Sequence, residues 1–199
     1  MRSAKANRTY QKIIDASMRL FNKKGYYGTS ISDIAQATHL TKGAIYFHFK
    51  NKDSLLKEIL NEYERTFLDQ LLGEVQDLRV GAMEKIKRML RFTLNFPLRH
   101  RDLCLCLTIL SAELYGSEPK YEQDLRRIYR KYHKFVAALI GEGKEEGSVR
   151  EDIDPDLAAL TIIDAHEGNL IQWMMNMKRF KGKDFAKSFM AFLLNAIRR

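Results

Sequence analysis

The 199-residue chain predicts an all-α fold of about nine helices, with a small N-terminal lobe of three and a larger C-terminal helical domain. Three observations predict it. Apolar residues recur every three or four positions along nearly the whole chain, and no alternating stretch competes. The breaks carry glycine, proline or a capping residue where helices start and stop. Composition agrees: 45% apolar residues supply a core, and 30% charged residues suit a solvated surface.

Ile13, Ile14, Ser17, Leu20 and Phe21 mark a first amphipathic helix over about 8–24, stopped by Gly25. Ser30 caps a second helix, with Asp33 three positions on in capping-box spacing. Ile31, Ile34 and Ala35 form its apolar face. Thr38-His39-Leu40 is a break. Thr41 caps a third helix carrying Gly43, Ala44, Ile45, Tyr46 and Phe47. Asn51 caps a long fourth helix, about 51–76, whose stripe includes Leu55, Leu56, Ile59, Leu60, Tyr63, Phe67 and Leu71. Further helices are expected over about 82–96, ending before Pro97, and over about 101–115. Another begins at Ser117 or Pro119 and runs to about 146. The last two cover about 155–177, with Pro155 in the first turn, and about 183–198. The expected domains are 1–50 and 51–199, with the helix over about 51–76 as the connector.

Charge is unevenly spread. Residues 1–52 hold ten Lys/Arg and two acids, a balance of +8, whereas 53–199 hold 24 and 23, a balance of +1. A basic lobe on a near-neutral body implies a polyanionic partner. Nucleic acid and anionic membrane both qualify on charge. No stretch approaches the ~18 apolar residues of a membrane span. The first ten residues carry no apolar signal core, and the two cysteines, Cys104 and Cys106, are too few for a disulfide framework. A cytoplasmic location, no metal and no cofactor are expected. No nucleophile-base arrangement, phosphate-cradling glycine loop or paired-carboxylate motif is present, so no enzyme is expected.

Two short helices joined by a three-residue break, after a longer helix, form a helix-turn-helix layout. The second must be thin on its outer face to enter a major groove. Thr41, Lys42, Gly43 and Ala44 supply that thin end, and its helix N-terminus favours phosphate. Tyr46, His48 and Lys52 sit where the helix would leave the groove, with groups suited to backbone oxygens. Thr29 and Ser30 are further phosphate donors. Arg8 and Lys5, placed ahead of the first helix, can reach an adjacent groove or backbone. Ile45, Phe47 and Phe49 are expected to anchor the helix to the lobe.

Gly28-Thr29-Ser30-Ile31-Ser32-Asp33-Ile34-Ala35, followed by Thr41-Lys42-Gly43-Ala44-Ile45-Tyr46-Phe47-His48-Phe49-Lys50-Asn51-Lys52-Asp53-Ser54-Leu55, resembles the DNA-binding signature of the TetR family of bacterial transcriptional regulators. The resemblance implies an all-α homodimer that represses from a palindromic operator and releases it when a small molecule binds. It favours DNA contact for Thr29, Ser30, Thr41, Lys42, Gly43, Ala44, Tyr46, His48 and Lys52. One departure concerns the turn, where the family favours Ala-Gly-Val and this chain has Thr38-His39-Leu40. Histidine tolerates positive φ better than β-branched residues do, so the turn is expected to survive with His39 exposed.

Past residue 75 the resemblance weakens, but Ile162 to Met177, with Glu167-Gly168 and Gln172-Trp173, is similar to the family's penultimate helix. That implies dimerisation through the last two helices, with Glu167, Gly168, Phe189 and Leu193 at the interface. Candidate walls of an effector pocket are Met89, Phe92, Leu103, Leu107, Leu110, Tyr115, Tyr132, Phe135 and Trp173. Glu113 and His166 are its candidate polar members, each interrupting an apolar stretch; Asp164, Glu167 and Asn169 do likewise. Two effector classes fit. Glu113 or Glu167 in an apolar cavity suits a cationic lipophile. Seven Lys/Arg between Arg79 and Arg101 suit an acyl-carboxylate or acyl-thioester head group. The alternative to DNA is a hydrophobic-ligand binder whose basic lobe docks on anionic membrane. It accounts for the charge but not for the Thr41–Lys52 spacing.

Overall fold

The structure, a computed structural model, describes residues 4–76, 79–117 and 119–199, without the side chains of 4, 5 and 119. The expected role of Lys5 falls outside the described side chains. In chain order the helices are α1 (Ala4–Lys24), α2 (Ile31–Thr38), α3 (Lys42–His48), α4 (Lys52–Tyr63) and α5 (Gln70–Gln76). They are followed by α6 (Ala82–Leu114), α7 (Pro119–Glu145), α8 (Pro155–Met175) and α9 (Gly182–Ile197). A π-helical stretch, Glu64–Asp69, joins α4 to α5. Among the described residues there is no strand, only an isolated bridge between Val149 and Arg198. No described helix is long and apolar enough to cross a membrane.

The chain folds into two compact units that do not follow chain order. The first comprises 1–64 with 102–125, and the second 65–101 with 126–199. The first is cored by Ile13, Ile14 and Phe21 of α1, Ile34 of α2, Ile45 of α3, and Leu55, Leu56 and Ile59 of α4. Each such side chain contributes roughly 1.5–3 kcal/mol by leaving water. Tyr10 stacks on Phe49 at 4.8 Å and closes the end of α3 against α1. The helix ends are set by local chemistry. Ser30 and Asp33 form a reciprocal capping box on α2. Thr41 accepts from the Ala44 amide at the start of α3, and Asn51 with Ser54 caps α4. His39 ends α2 in the left-handed region, φ 52°, as its tolerance of that region predicts. α1 starts at Ala4, so Arg8 lies inside the helix rather than ahead of it, and is exposed.

The second unit is built around aromatic rings. Phe67 packs edge-on to Phe96 at 5.1 Å and to Tyr132 at 5.4 Å. Ile86, Met89, Ile128, Val136, Ile162 and Leu170 fill the surrounding space. Asp154 caps α8 by accepting from Leu157, with Pro155 at its first position as expected. The main departure from expectation is α6. Helical backbone runs through Pro97 and breaks instead at His100, φ −122° and ψ 37°. Proline removes the bond that its missing N–H would give to the carbonyl four residues earlier, which belongs to Thr93. That carbonyl is satisfied otherwise: Nε2 of His166 donates to it at 3.0 Å. A replacement donor from α8 therefore makes the proline tolerable within the helix.

Candidate nucleic-acid interface

The reading face is built by α3. Ile45 and Phe49, four residues apart, are buried and hold the helix to the first unit. The opposite face therefore points outward. Lys42 and Gly43 are exposed, Tyr46 is 52% exposed and Phe47 is 81% exposed. Phe47 thus corrects the expectation that it anchors the helix. Helical spacing explains this, because position 47 lies about 200° around the axis from position 45. A Cβ placed on Gly43 would meet only the Thr41 hydroxyl, at 3.8 Å. Nothing in the fold itself requires that glycine. His48 is half-buried, its ring edge-on to Phe47 and Tyr10.

Two expected phosphate ligands are turned inward. Thr29 is buried, and its hydroxyl donates to the Gly25 carbonyl at 2.7 Å. Lys52 donates to the carbonyls of Tyr26 and Thr29 at 2.8 and 2.9 Å, and lies 4.2 Å from the Tyr26 ring. Burial holds its ammonium below the usual lysine range, opposed by Glu113 and Asp53. Lys52 therefore ties the α1–α2 turn to α4. Ser30 is exposed, but its hydroxyl is engaged with Asp33 at 2.5 Å. Lys24 and Ser30 hold the Asp33 carboxyl well below the usual range.

Glu113 gives a further correction. Both carboxylate oxygens accept from backbone amides, Tyr26 at 2.6 Å and Tyr27 at 2.9 Å. It clamps the turn after α1 and does not line an effector cavity. Gly25 is required there twice over. Its φ of +74° favours glycine, and a Cβ would stand 2.7 Å from the Glu113 carboxylate. The Tyr26 hydroxyl then donates to Asp53 at 2.7 Å. Tyr121, Tyr26 and Lys120 together hold Asp53 down to about 2. The sequence carried no signal for this knot, because its partners are up to 95 residues apart.

The other pocket candidates divide between the units. Leu103, Leu107 and Leu110 are buried in the first, and Tyr115, at 76% exposure, walls nothing there. In the second, Met89, Tyr132 and Phe135 are buried core. Burial pushes the Tyr132 phenol upward. His166 and Trp173 border a hollow of only about 20 Å³, and Phe92 borders a cleft of about 860 Å³. Burial keeps His166 below the usual histidine range, against the pull of the Thr93 carbonyl. Glu167 accepts from the Tyr129 hydroxyl at 2.6 Å, and burial raises its pKa. Leu193, expected at a dimer interface, is 6% exposed within the single chain, whereas its neighbour Phe192 is 73% exposed. A one-residue step on a helix swings the side chain by about 100°, so Leu193 faces the chain's own core and Phe192 faces outward. Burial pushes both cysteine thiols up to about 12.

Comparisons with known proteins agree with this architecture. Residues 13–59 match the bacterial regulatory proteins of the tetR family, and residues 80–197 match a tetracyclin repressor-like C-terminal domain. The fatty acid metabolism regulator protein of Bacillus subtilis is 26% identical over 188 residues, covering 94% of this chain and 95% of its own. The crystal structure of the MbdR regulator from Azoarcus sp. CIB superposes with a TM-score of 0.85 at 30% identity, covering 94% of this chain and 97% of that one. AibR, solved in complex with isovaleryl coenzyme A and operator DNA, has the same fold, with a TM-score of 0.80 at 24% identity and coverage of 94% and 98%. The membrane-docking alternative finds no support among these matches. With its capped helix-turn-helix lobe and helical C-terminal domain both matched, the chain belongs to the TetR family and is a ligand-responsive, DNA-binding transcriptional repressor.

Proposed function

We propose that two copies of the chain grip a two-fold symmetric operator through α3, and that an acyl thioester effector releases them. The exposure of Lys42, Tyr46 and Phe47 on a helix whose Ile45 and Phe49 are buried carries the DNA reading. Lys42 and Tyr46 contact the backbone or base edges, and Gly43 and Ala44 permit close approach. Thr41 and His48 contribute from the ends of the same helix, and the exposed Arg8 of α1 adds a further phosphate contact.

Self-association is supported by the apolar side chains left outside the second unit's core. Leu157 is 65% exposed, Met175 77% and Phe192 73%. Gly168 lies on an open helix face with nothing within 4 Å of a Cβ placed there. An isologous dimer through α8 and α9 would cover such a face and set two reading helices about one DNA turn apart. Phe189 and Gly168 belong to that interface, with Phe192 added.

The effector class follows from how the carboxylates are used. A cationic lipophile needs an available acid, but Glu113 is committed to two amides and Glu167 to Tyr129. The cation-rich stretch of α6 remains, and it suits an anionic acyl compound. Relatives point the same way, since one is a fatty acid metabolism regulator and another holds isovaleryl coenzyme A. The test combines selection of duplexes from a random pool, light scattering of the purified chain, and titration of the complex with isovaleryl and stearoyl coenzyme A. A symmetric selected sequence, a dimeric mass and release by a thioester are expected. A monomer, or a complex indifferent to every thioester, overturns the proposal.

A further inference from the structure

In the second unit, the face of α6 over residues 88–100 and the start of α9 border the cleft of about 860 Å³. That volume lies within the range of roughly 300–1,000 Å³ typical of small-molecule sites. Arg88, Arg91, Arg99 and Lys183 line it against one carboxylate, Glu74. Helical spacing produces this arrangement. Positions 88, 91 and 99 share one stripe of α6, and 92, 96 and 100 form the stripe beside it. The second stripe is aromatic. Phe92 stacks on Phe96 at 5.7 Å, and Phe96 on His100 at 4.4 Å with 21° between the rings. The nearest acid to two of the arginines is Glu84, 3.7 Å from Arg88 and 3.8 Å from Arg91, outside hydrogen-bond reach.

A row of cations beside a row of stacked rings is chemistry for a phosphorylated nucleotide. Guanidinium groups match phosphate oxygens two at a time, and flat rings accept a purine face. One carboxylate, Glu84, serves Lys87, Arg88 and Arg91, so this stretch keeps a surplus of positive charge that a polyanion in the cleft neutralises. We infer that this cleft holds the nucleotide head of the acyl thioester effector: Arg88 and Arg91 grip its phosphates, Arg99 and Lys183 close the far side, and the outer face of His100, backed by the buried Phe96 ring, carries its base. The inference rests on the thioester reading of the preceding section and adds to it a location and a set of residues.

Calorimetric titration of the full-length protein tests it with coenzyme A, pantetheine and ATP. Pantetheine lacks the phosphates, and ATP carries them without the thiol arm. Coenzyme A is expected to bind at least 100-fold more tightly than pantetheine and more tightly than ATP. The double variant Arg88→Ala/Arg91→Ala should lose about tenfold or more per arginine for coenzyme A, with pantetheine unchanged. Lys183→Ala, which leaves α6 intact, should lose less but in the same direction. Equal affinity for coenzyme A and pantetheine overturns the inference, as does a double variant that binds coenzyme A like the wild type. Tighter binding of ATP than of coenzyme A overturns it too, in favour of a free nucleotide. Operator binding without effector is measured in parallel. Wild type and double variant released alike by isovaleryl coenzyme A leave the repressor reading standing and remove this one. Failure to bind any duplex removes the former while the calorimetry still judges the cleft.

Discussion

The two compact units handle charge in opposite ways. The first sets charged side chains directly against backbone groups: Glu113 on the amides of Tyr26 and Tyr27, Lys52 on the carbonyls of Tyr26 and Thr29, even though burial pulls Lys52 below the usual lysine range. Asp33 and Asp53 are held below the usual carboxylate range, so they stay charged well into acid. The second unit keeps charge at its surface and cleft and out of the network beside its aromatic core. His166 is pushed down and Glu167 up, each toward its neutral form. Directional ionic bonds fix one shape, as a surface matched to DNA requires. A neutral polar network among aromatic rings has partners that a ligand's polar groups can replace.

The largest effect should come from breaking the ionic clamp. Glu113→Ala leaves the amides of Tyr26 and Tyr27 without their acceptor. A part-buried amide so abandoned costs roughly 1–3 kcal/mol, and the second is more exposed. Chemical denaturation of the variant is expected to show a loss of roughly 2–3 kcal/mol with weakened operator binding. A loss below about 0.5 kcal/mol would mean that water replaces the carboxylate and the clamp is incidental.

Two lysines ten positions apart sharpen the same contrast. Lys42 is exposed on α3 and Lys52 is enclosed by the turn. Lys42→Ala should lower operator affinity and reduce the logarithmic salt slope by about one, with stability within ~0.5 kcal/mol of wild type. Lys52→Ala should leave that slope alone and cost about 1–2 kcal/mol of stability. The reverse pattern in the salt titration would exchange their roles.

What was legible in the sequence follows from range. Caps and amphipathic stripes are local, so the elements from α1 to α4 and the left-handed turn at His39 can be read residue by residue. Phe47 was misplaced on the anchoring face, although the Ile45–Phe49 spacing, with both faces of α3 counted separately, puts it on the other side. The knot of Glu113, Tyr26, Asp53 and Lys52 was not legible, because its parts come from segments whose separation in sequence says nothing of contact. Glu113 had the signature of a pocket acid, a carboxylate on an apolar helix, and only tertiary structure distinguishes that from a clamp. The same holds for Pro97. Local rules stop the helix before it, and His166, 69 residues later, lets it continue.

The burial of His166 in the second unit predicts acid sensitivity. His166 has a folded-state pKa below its unfolded value. Below about pH 6.5 the unfolded chain takes up the proton first, so stability falls with pH from there down to the folded pKa. The slope is at most about 1.4 kcal/mol per pH unit. Glu167 has the opposite sign, since its raised pKa lets the folded chain bind a proton first at lower pH. Trp173, the single tryptophan, lies in the second unit and reports on it. Its unfolding followed by fluorescence should lose stability between pH 6.5 and 5.5, and His166→Gln should flatten that dependence. An unchanged slope in the variant would place the acid sensitivity elsewhere. Asp53, held to about 2, should not contribute in this window.

The smallest effect tests whether the first unit's exposed ring reads sequence. Phe47 is the largest apolar group on the outer face of α3, and a major groove offers it one apolar feature, the thymine methyl. Burying a methyl-sized group is worth about 0.8 kcal/mol, close to fourfold in affinity. Replacing single thymines of the selected operator by uracil removes only that methyl. At one position per half-site, uracil should weaken the wild type about fourfold per contact and leave Phe47→Ala unaffected. Lys42→Ala should still feel the substitution in full, because its contact is to a different group. If uracil weakens Phe47→Ala as much as the wild type, the methyl is read by another residue and the exposed ring only lines the groove.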